Sequence, residues 1–222
     1  MVSLRISKII AKSLALVAIL SSTCFAFSEG SDYVALKKPI PNAKNTLIKV
    51  FSYDCPFCYK YDKQVTPKVV PRLPADLQFR PFHLKTKGKY GPQGSELFAV
   101  LLVRDQKNGL KDKDLYSEKS LLKKAKMAYY NAYHDKKERW DAGPDAYLQT
   151  GLNAVGMTRA EFDKEKNDPK VKALLKEWDA SYEVAKIQGV PAFVVNGKYL
   201  IMTKSITSVD SMLQLINELK SK

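Results

Sequence analysis

"VFSYDCPFCYKY", Val50 to Tyr61, sets two cysteines three residues apart with Pro56 and Phe57 between them. It overlaps "TLIKVFSY" (Thr46 to Tyr53), a short apolar run with β-branched residues, which predicts a buried strand. From Cys55 onward the apolar spacing becomes helical, and Pro67 is expected to kink or stop that helix. A strand feeding a helix places Cys55 at a helix N-terminus, with Cys58 one turn behind it. Pro56 suits the first turn, where its missing N–H costs no hydrogen bond. Unpaired N–H groups and the positive end of the helix dipole then favour a thiolate on Cys55. A stabilised thiolate stabilises the reduced pair and makes the disulfide a stronger oxidant.

Three other readings of the pair compete with redox chemistry. A structural disulfide more often joins distant segments, because a short loop constrains the unfolded chain little. A zinc site needs about four ligands. Beyond residue 26 the chain offers only Cys55, Cys58, His83 and His134 as soft ligands, with no familiar spacing. Inert buried thiols fit poorly beside a helix start in an oxidising compartment.

That compartment is inferred from the first 26 residues. Arg5, Lys8 and Lys12 precede the apolar run "SLALVAILSS" (Ser13 to Ser22), and Ala26 follows in a small-residue context. This is the pattern of a secretory signal, with cleavage expected after Ala26, and the apolar run is too short for a membrane anchor. A lipid-modified Cys24 is the minor alternative. Removing residues 1–26 lowers the net charge from +14 by three to +11 and leaves Cys55 and Cys58 as the two cysteines. One intramolecular disulfide is then possible.

The 222 residues suffice for one compact domain or a domain with a large insertion. A composition of 45% hydrophobic and 27% charged residues excludes disorder, collagen and coiled coil as the main character. The lysines are scattered, so the basic charge reads as a solvated surface that can steer acidic clients, and not as a nucleic-acid interface.

Farther along, Ser28 to Asn45 reads as an extended lead-in, and Leu77 to Leu84 as a second strand whose Pro81 favours a sheet edge or a bulge. A Gly-rich loop, "KGKYGPQG", precedes about four helices: "SELFAVLLVRDQ", "SEKSLLKKAKMAYYNAYHDKKERW", "PDAYLQTGLNAVG" with the capped "TRAEFDKEKN", and "DPKVKALLKEWDASYEVAKIQG". Strand character returns at Val190 to Ile201, with a hairpin at Asn196–Gly197, and an amphipathic helix capped at Ser208 or Asp210 ends the chain. A mixed α/β sheet with a helical insertion fits this order.

The segments "FSYDCPFCYKY" and "GVPAFVVNGKYL", separated by about 100 residues of helical pattern, together resemble the thioredoxin superfamily, and more closely the DsbA family of bacterial periplasmic thiol oxidases. The resemblance covers nearly all of the chain beyond residue 26. It implies a thioredoxin fold divided into 27–87 and 188–222, interrupted by a helical domain at 88–187. It assigns Cys55 as the exposed nucleophile and Cys58 as the buried resolving cysteine. Val190 and Pro191 become a cis-proline loop facing the cysteines, where client backbone would add as a strand. Pro56 and Phe57 would tune the potential.

The chain also departs from the family. The best-known members carry His where this chain has Phe57, and a buried Glu where Lys49 stands, paired with a Lys at the position of Pro81. Lys49 is therefore expected to put positive charge beneath the site and to favour the thiolate, so that Lys49→Glu raises the Cys55 pKa. CPFC with a strongly basic surface is most similar to a specialised branch of the family, with a plasmid-type paralogue that carries CPFC as the close alternative. That similarity implies reduced exported clients, including an arylsulfate sulfotransferase, a quinone-linked membrane reoxidase of the DsbB or DsbI type, and a monomer. It implies no metal or other cofactor and no nucleic acid.

The same fold could alternatively house a reductase or isomerase, and a non-catalytic chaperone could carry the CxxC as a staple. His83 is expected to be a satisfied core or edge histidine and His134 a solvated one. Trp140, Trp178 and the tyrosines are expected to pack the insertion. Tyr53, Phe57 and Tyr59 are expected to rim Cys55, with core packing an equal explanation for Tyr59.

Overall fold

The computed structural model describes residues 27–222; the signal segment, its cleavage point and Cys24 lie outside them. Five strands form one mixed sheet. In chain order they are β1 (Tyr33–Ala35), β2 (Thr46–Phe51), β3 (Gln78–His83), β4 (Ala192–Val195) and β5 (Tyr199–Ile201). Their spatial order is β1-β5-β4-β2-β3, with β2 and β3 parallel and the other pairs antiparallel. All six residues of β2 are buried, as the continuous apolar run predicts for a strand covered on both faces. Pro81 sits on β3, an edge strand, where its missing N–H breaks no ladder on the outer side. The lead-in supplies a strand that the sequence reading lacked: β1 pairs with β5, an association of segments more than 160 residues apart that no local pattern announces.

Helix α1 (Pro56–Gln64) follows β2, and the chain breaks at Val65 before α2 (Thr66–Val69), which has Pro67 in its first turn. Between β3 and β4 lie six helices where about four were expected: α3 (Gly91–Lys107), α4 (Leu121–Tyr130), α5 (Pro144–Val155), α6 (Arg159–Glu165), α7 (Pro169–Trp178) and α8 (Ala180–Gln188).

Three differences explain the count and the boundaries. Helix α3 begins inside the Gly-rich loop. A Cβ at Gly91 would lie 2.1 Å from the Lys85 carbonyl oxygen, and one at Gly94 would lie 2.5 Å from the Tyr147 hydroxyl, so these glycines permit close packing and do not form an open loop. The segment expected as one helix to Trp140 ends as a π turn at Asn131–Asp135. The segment expected as one helix to Gly189 breaks at Asp179, where the Ser181 hydroxyl turns back to the carbonyls of Trp178 and His83. The capping box Thr158/Glu161, the Gly156 C-cap in left-handed geometry, the turn at Asn196–Gly197 and the Ser208 cap of α9 (Val209–Lys220) follow the sequence pattern.

The inserted helices join the sheet through an aromatic core. Tyr53 leaves the end of β2 and meets Tyr129, Trp140 and Tyr147 with ring centroids 5.0–6.0 Å apart. Its hydroxyl accepts from the Tyr90 amide at 2.9 Å. Tyr53 is buried, so it is a core residue and not part of a rim around Cys55. His83 stacks in the same core. Its Nδ1 meets the Ser95 hydroxyl at 2.7 Å, while Nε2 has no hydrogen-bond partner among the described residues. It is thus a core histidine satisfied at one nitrogen.

Burial lowers the His83 pKa to about 3, against an ordinary value near 6.5. The folded state holds the ring neutral, whereas the unfolded chain takes up a proton once the pH falls below about 6.5. The stability contribution is therefore complete above that pH and drains away as pH falls toward 3, at about 1.4 kcal/mol per pH unit. Urea unfolding from pH 7 to about pH 5.5, above the range where carboxylates protonate in the unfolded chain, is expected to show this slope as it develops below about 6.5. In His83→Gln it is expected to shrink to the smaller contribution of His134, whose pKa burial also lowers.

Candidate functional site

Helix α1 starts as the cysteine spacing demands. Cys55 is its N-cap in extended geometry, Pro56 occupies the first turn, and the Cys58 backbone N–H donates to Cys55 Sγ at 3.1 Å. Both cysteines are free thiols. Across from them, Val190–Pro191 is a cis peptide, and the Val190 carbonyl oxygen lies 3.1 Å from Cys55 Sγ. The structure thus brings together Cys55, Cys58, Val190 and Pro191 from segments 135 residues apart.

One expectation about exposure changes. Cys55 is only 2% exposed, because the Val190 carbonyl closes over its sulfur, while Phe57 is 65% exposed. The residue that projects from the dithiol is Phe57, an apolar side chain with no hydrogen bond to offer a thiolate.

The two contacts on Cys55 Sγ favour opposite protonation states. The Val190 carbonyl can only accept, so it holds the thiol, whereas the Cys58 N–H supports the thiolate. The net effect lowers the Cys55 pKa: the Cys58 side chain leads, burial opposes it, and the Cys58 N–H and the charge of Lys87 add to the lowering. Asp54 works against them. Its carboxylate lies 3.5 Å from Lys87 Nζ and accepts from the Ser52 hydroxyl at 2.9 Å. Cys58 is pushed well above the ordinary thiol range by burial and by its hydrogen bond with Cys55. One sulfur can thereby serve as nucleophile and leaving group while the other is a buried thiol, an arrangement able to cycle between dithiol and disulfide.

Lys49 lies opposite Pro81 on β3, and it is buried as expected. Its charge, however, is not free. Asp62, on α1 four residues beyond Cys58, forms a buried ion pair with it, and the Thr66 hydroxyl lies 2.9 Å away. A Lys49→Glu change would set two carboxylates against each other, so it does not isolate the effect of charge on Cys55. The charge of Lys49 acts on Cys58, where it offsets part of the burial cost. The Asp62 carboxylate accepts further from Lys126 at 3.0 Å, from Tyr116 at 2.7 Å and from Tyr130 at 3.1 Å. These donors hold it ionised, well below the usual carboxylate range, against the pull of burial.

Sequence reading missed Asp62, Lys126, Tyr116, Tyr130, Lys87 and Asp54. For Asp62 a signal existed. It stands four residues after Cys58, on the face of α1 that carries the buried cysteine, where an acid needs a cation. His134, expected in solvent, is half-buried. Its Nε2 donates to the Tyr53 carbonyl at 3.1 Å, and its ring stacks on Tyr59. Tyr59 also packs on Tyr130 and donates to Asp135 at 2.7 Å, which favours the packing explanation for it.

The profile of the DSBA-like thioredoxin domain matches residues 46–219. The chain is 58% identical over 215 residues to the thiol:disulfide interchange protein DsbL of Lelliottia amnigena, spanning 95% of this chain and 96% of that protein. Identity to the protein of that name from Escherichia coli O6:H1 is 59% over 204 residues, covering 91% and 90% of the two chains. The crystal structure of DsbL from Salmonella enterica serovar Typhimurium matches with a TM-score of 0.85 at 60% identity, over 89% of this chain and 98% of that one.

Lys87 is 41% exposed and acts on Cys55 from the rim. Lys87→Gln is expected to raise the thiolate titration midpoint of Cys55, followed at 240 nm, by a few tenths of a pH unit, and Asp54→Asn to lower it. Both shifts should shrink as salt is raised toward 1 M, because exposed charges are screened.

Proposed function

Because this chain belongs to the DSBA-like thioredoxin domain family, we propose that it is a protein dithiol oxidase donating the Cys55–Cys58 disulfide to exported proteins in the periplasm. The observation that carries the proposal is the asymmetry of the two sulfurs: the Cys55 pKa is lowered at the helix start and the Cys58 pKa is raised in the core. The lowered Cys55 pKa stabilises the reduced pair and makes its disulfide oxidising.

A client thiolate attacks Cys55 Sγ. The Cys55–Cys58 bond breaks, its electron pair goes to Cys58, and an intermolecular disulfide forms. A second client thiolate attacks its own bridged sulfur and expels Cys55 as a thiolate. The client leaves oxidised by two electrons and the enzyme leaves reduced. Val190 and Pro191 supply the backbone against which an extended client segment lies, with Phe57 as the apolar contact beside it. Pro56 and Phe57 set the geometry and polarity of the helix start. Lys49 tunes Cys58 from below. Residues 27–87 and 188–222 act as the thioredoxin-like body, and 88–187 as the inserted unit that closes over the dithiol from the side of Tyr59.

A quinone-linked membrane reoxidase of the DsbB or DsbI type returns the enzyme to the disulfide. The CPFC motif and the +11 charge beyond residue 26 resemble the DsbL branch, and on that ground an arylsulfate sulfotransferase is the first client to test.

Equilibration with glutathione separates the readings. The wild-type pair is expected to stay reduced until the buffer is strongly oxidising. A pair already oxidised in mildly reducing buffer would point to a reductase or a structural bond. Cys58→Ser is expected to accumulate client-linked species through Cys55 that dithiothreitol releases. Cys55→Ser is expected to lose all turnover, whereas a chaperone with a stapling disulfide would keep its client binding.

A further inference from the structure

Beneath the dithiol lies a charge arrangement that the oxidase reading does not use. Asp62 and Cys58 stand four residues apart on one buried face of α1. Two ammonium groups converge on that single carboxylate, Lys49 from β2 and Lys126 from α4, and both side chains are 2% exposed or less. The remaining polar neighbours are neutral: Tyr116 and Tyr130, whose hydroxyls burial holds protonated, and Thr66. Lys126 Nζ lies 3.0 Å from the Tyr116 hydroxyl and 5.0 Å from the centre of the Phe51 ring, and among the described residues Asp62 is the one acid it pairs with. One buried carboxylate could be matched by one buried cation. A second cation leaves one unit of positive charge in the core, and the anion that can answer it is the sulfur one turn away.

We propose that Lys126 is a positioning residue for the Cys58 sulfur: together with Lys49 and Asp62 it holds one net positive charge beneath Cys58, which stabilises the thiolate expelled there when a client thiolate attacks Cys55. This rests on the assignment of Cys55 as the attacked sulfur. In the oxidised enzyme the cluster carries its uncompensated charge. When the client–Cys55 bond forms and the Cys55–Cys58 bond breaks, the electron pair arriving on Cys58 neutralises that charge within the core. A leaving thiol with a lower pKa leaves faster, so the excess cation speeds the transfer step. The Lys126 pKa, which burial lowers to about 8, accords with an ammonium that lacks a full counterion until the thiolate appears. The inserted helices, besides covering the dithiol, thereby deliver a charge to it.

The test uses the full mature chain carrying Cys55→Ser, in which Cys58 is the only thiol. Below about pH 8, where Lys126 is still an ammonium, the thiolate fraction of Cys58 is read as its rate of alkylation by iodoacetamide, with Lys126 intact, with Lys126→Met and with Lys126→Arg. Lys126→Met is expected to slow alkylation about tenfold, the equivalent of one pH unit in the Cys58 pKa, and Lys126→Arg to keep it near the parent. In the two-cysteine enzyme, Lys126→Met is expected to slow the attack of glutathione on the disulfide. Should Lys126→Met not fold, the 15N titration midpoint of Lys126 Nζ in the Cys55→Ser chain is expected to fall when Cys58→Ala removes the sulfur. An unchanged alkylation rate in Lys126→Met, an equal loss in Met and Arg, or an Nζ midpoint blind to Cys58→Ala would overturn the proposal. Each readout is independent of client turnover, so these results leave the oxidase reading standing, and a failed client assay leaves them interpretable.

Discussion

A carboxylate placed in an apolar core must be met by donors or give up its charge, and Asp62 is met by four: Lys49, Lys126, Tyr116 and Tyr130. These donors come from a central strand, from an inserted helix and from the turn that precedes it. The acid itself rides on the helix that carries the two cysteines. Burying three charges costs several kcal/mol per ion unless geometry returns it, and removing Asp62 leaves two cations unpaired in a dry interior. The node therefore fixes the rotation of α1 about its axis, and with it the direction in which Cys55 and Cys58 face. The seam between sheet and insertion that the aromatic core fills with Tyr53, Tyr129 and Tyr147 is pinned here by charge.

The dithiol above the node divides its work through position alone. Two identical residues three apart receive opposite pKa shifts, because Cys55 accepts an amide at the helix start while Cys58 lies inside the core. No general base is needed for this thiol:disulfide chemistry. The backbone supplies the stabilising donor for one sulfur, and burial withholds solvent from the other. Phe57 fits the same economy. It offers the thiolate no hydrogen bond, and it leaves an exposed apolar side chain two residues from Cys55.

Much of this was legible from local pattern. The strand at Thr46–Phe51, the helix start at Cys55, the caps at Thr158 and Ser208 and the turn at Asn196–Gly197 depend on residues within a few positions of one another, which is the range over which periodicity and capping act. What failed depended on distance. The strand Tyr33–Ala35 exists because β5 pairs with it, and the break at Asp179 exists because Ser181 reaches the carbonyl of His83. Gly91 and Gly94 read as loop formers because their spacing suggests flexibility, yet their role is to let α3 approach Lys85 and Tyr147.

By itself the sequence determined the chemistry: two cysteines at helical spacing behind a buried strand, a proline that suits the first turn, and a Val-Pro step before a second strand. These are covalent facts and short-range preferences, and they suffice to name a redox pair. The tertiary structure alone decided the electrostatics. Lys49 read as a free cation because its partner lies thirteen residues on, across the strand-to-helix turn, and Lys126 read as one solvated lysine among many on a basic helix. Whether a charge is buried, and which charge meets it, follows from how helix and sheet pack. In a low-dielectric core that packing changes the energy of a charge more than its identity does.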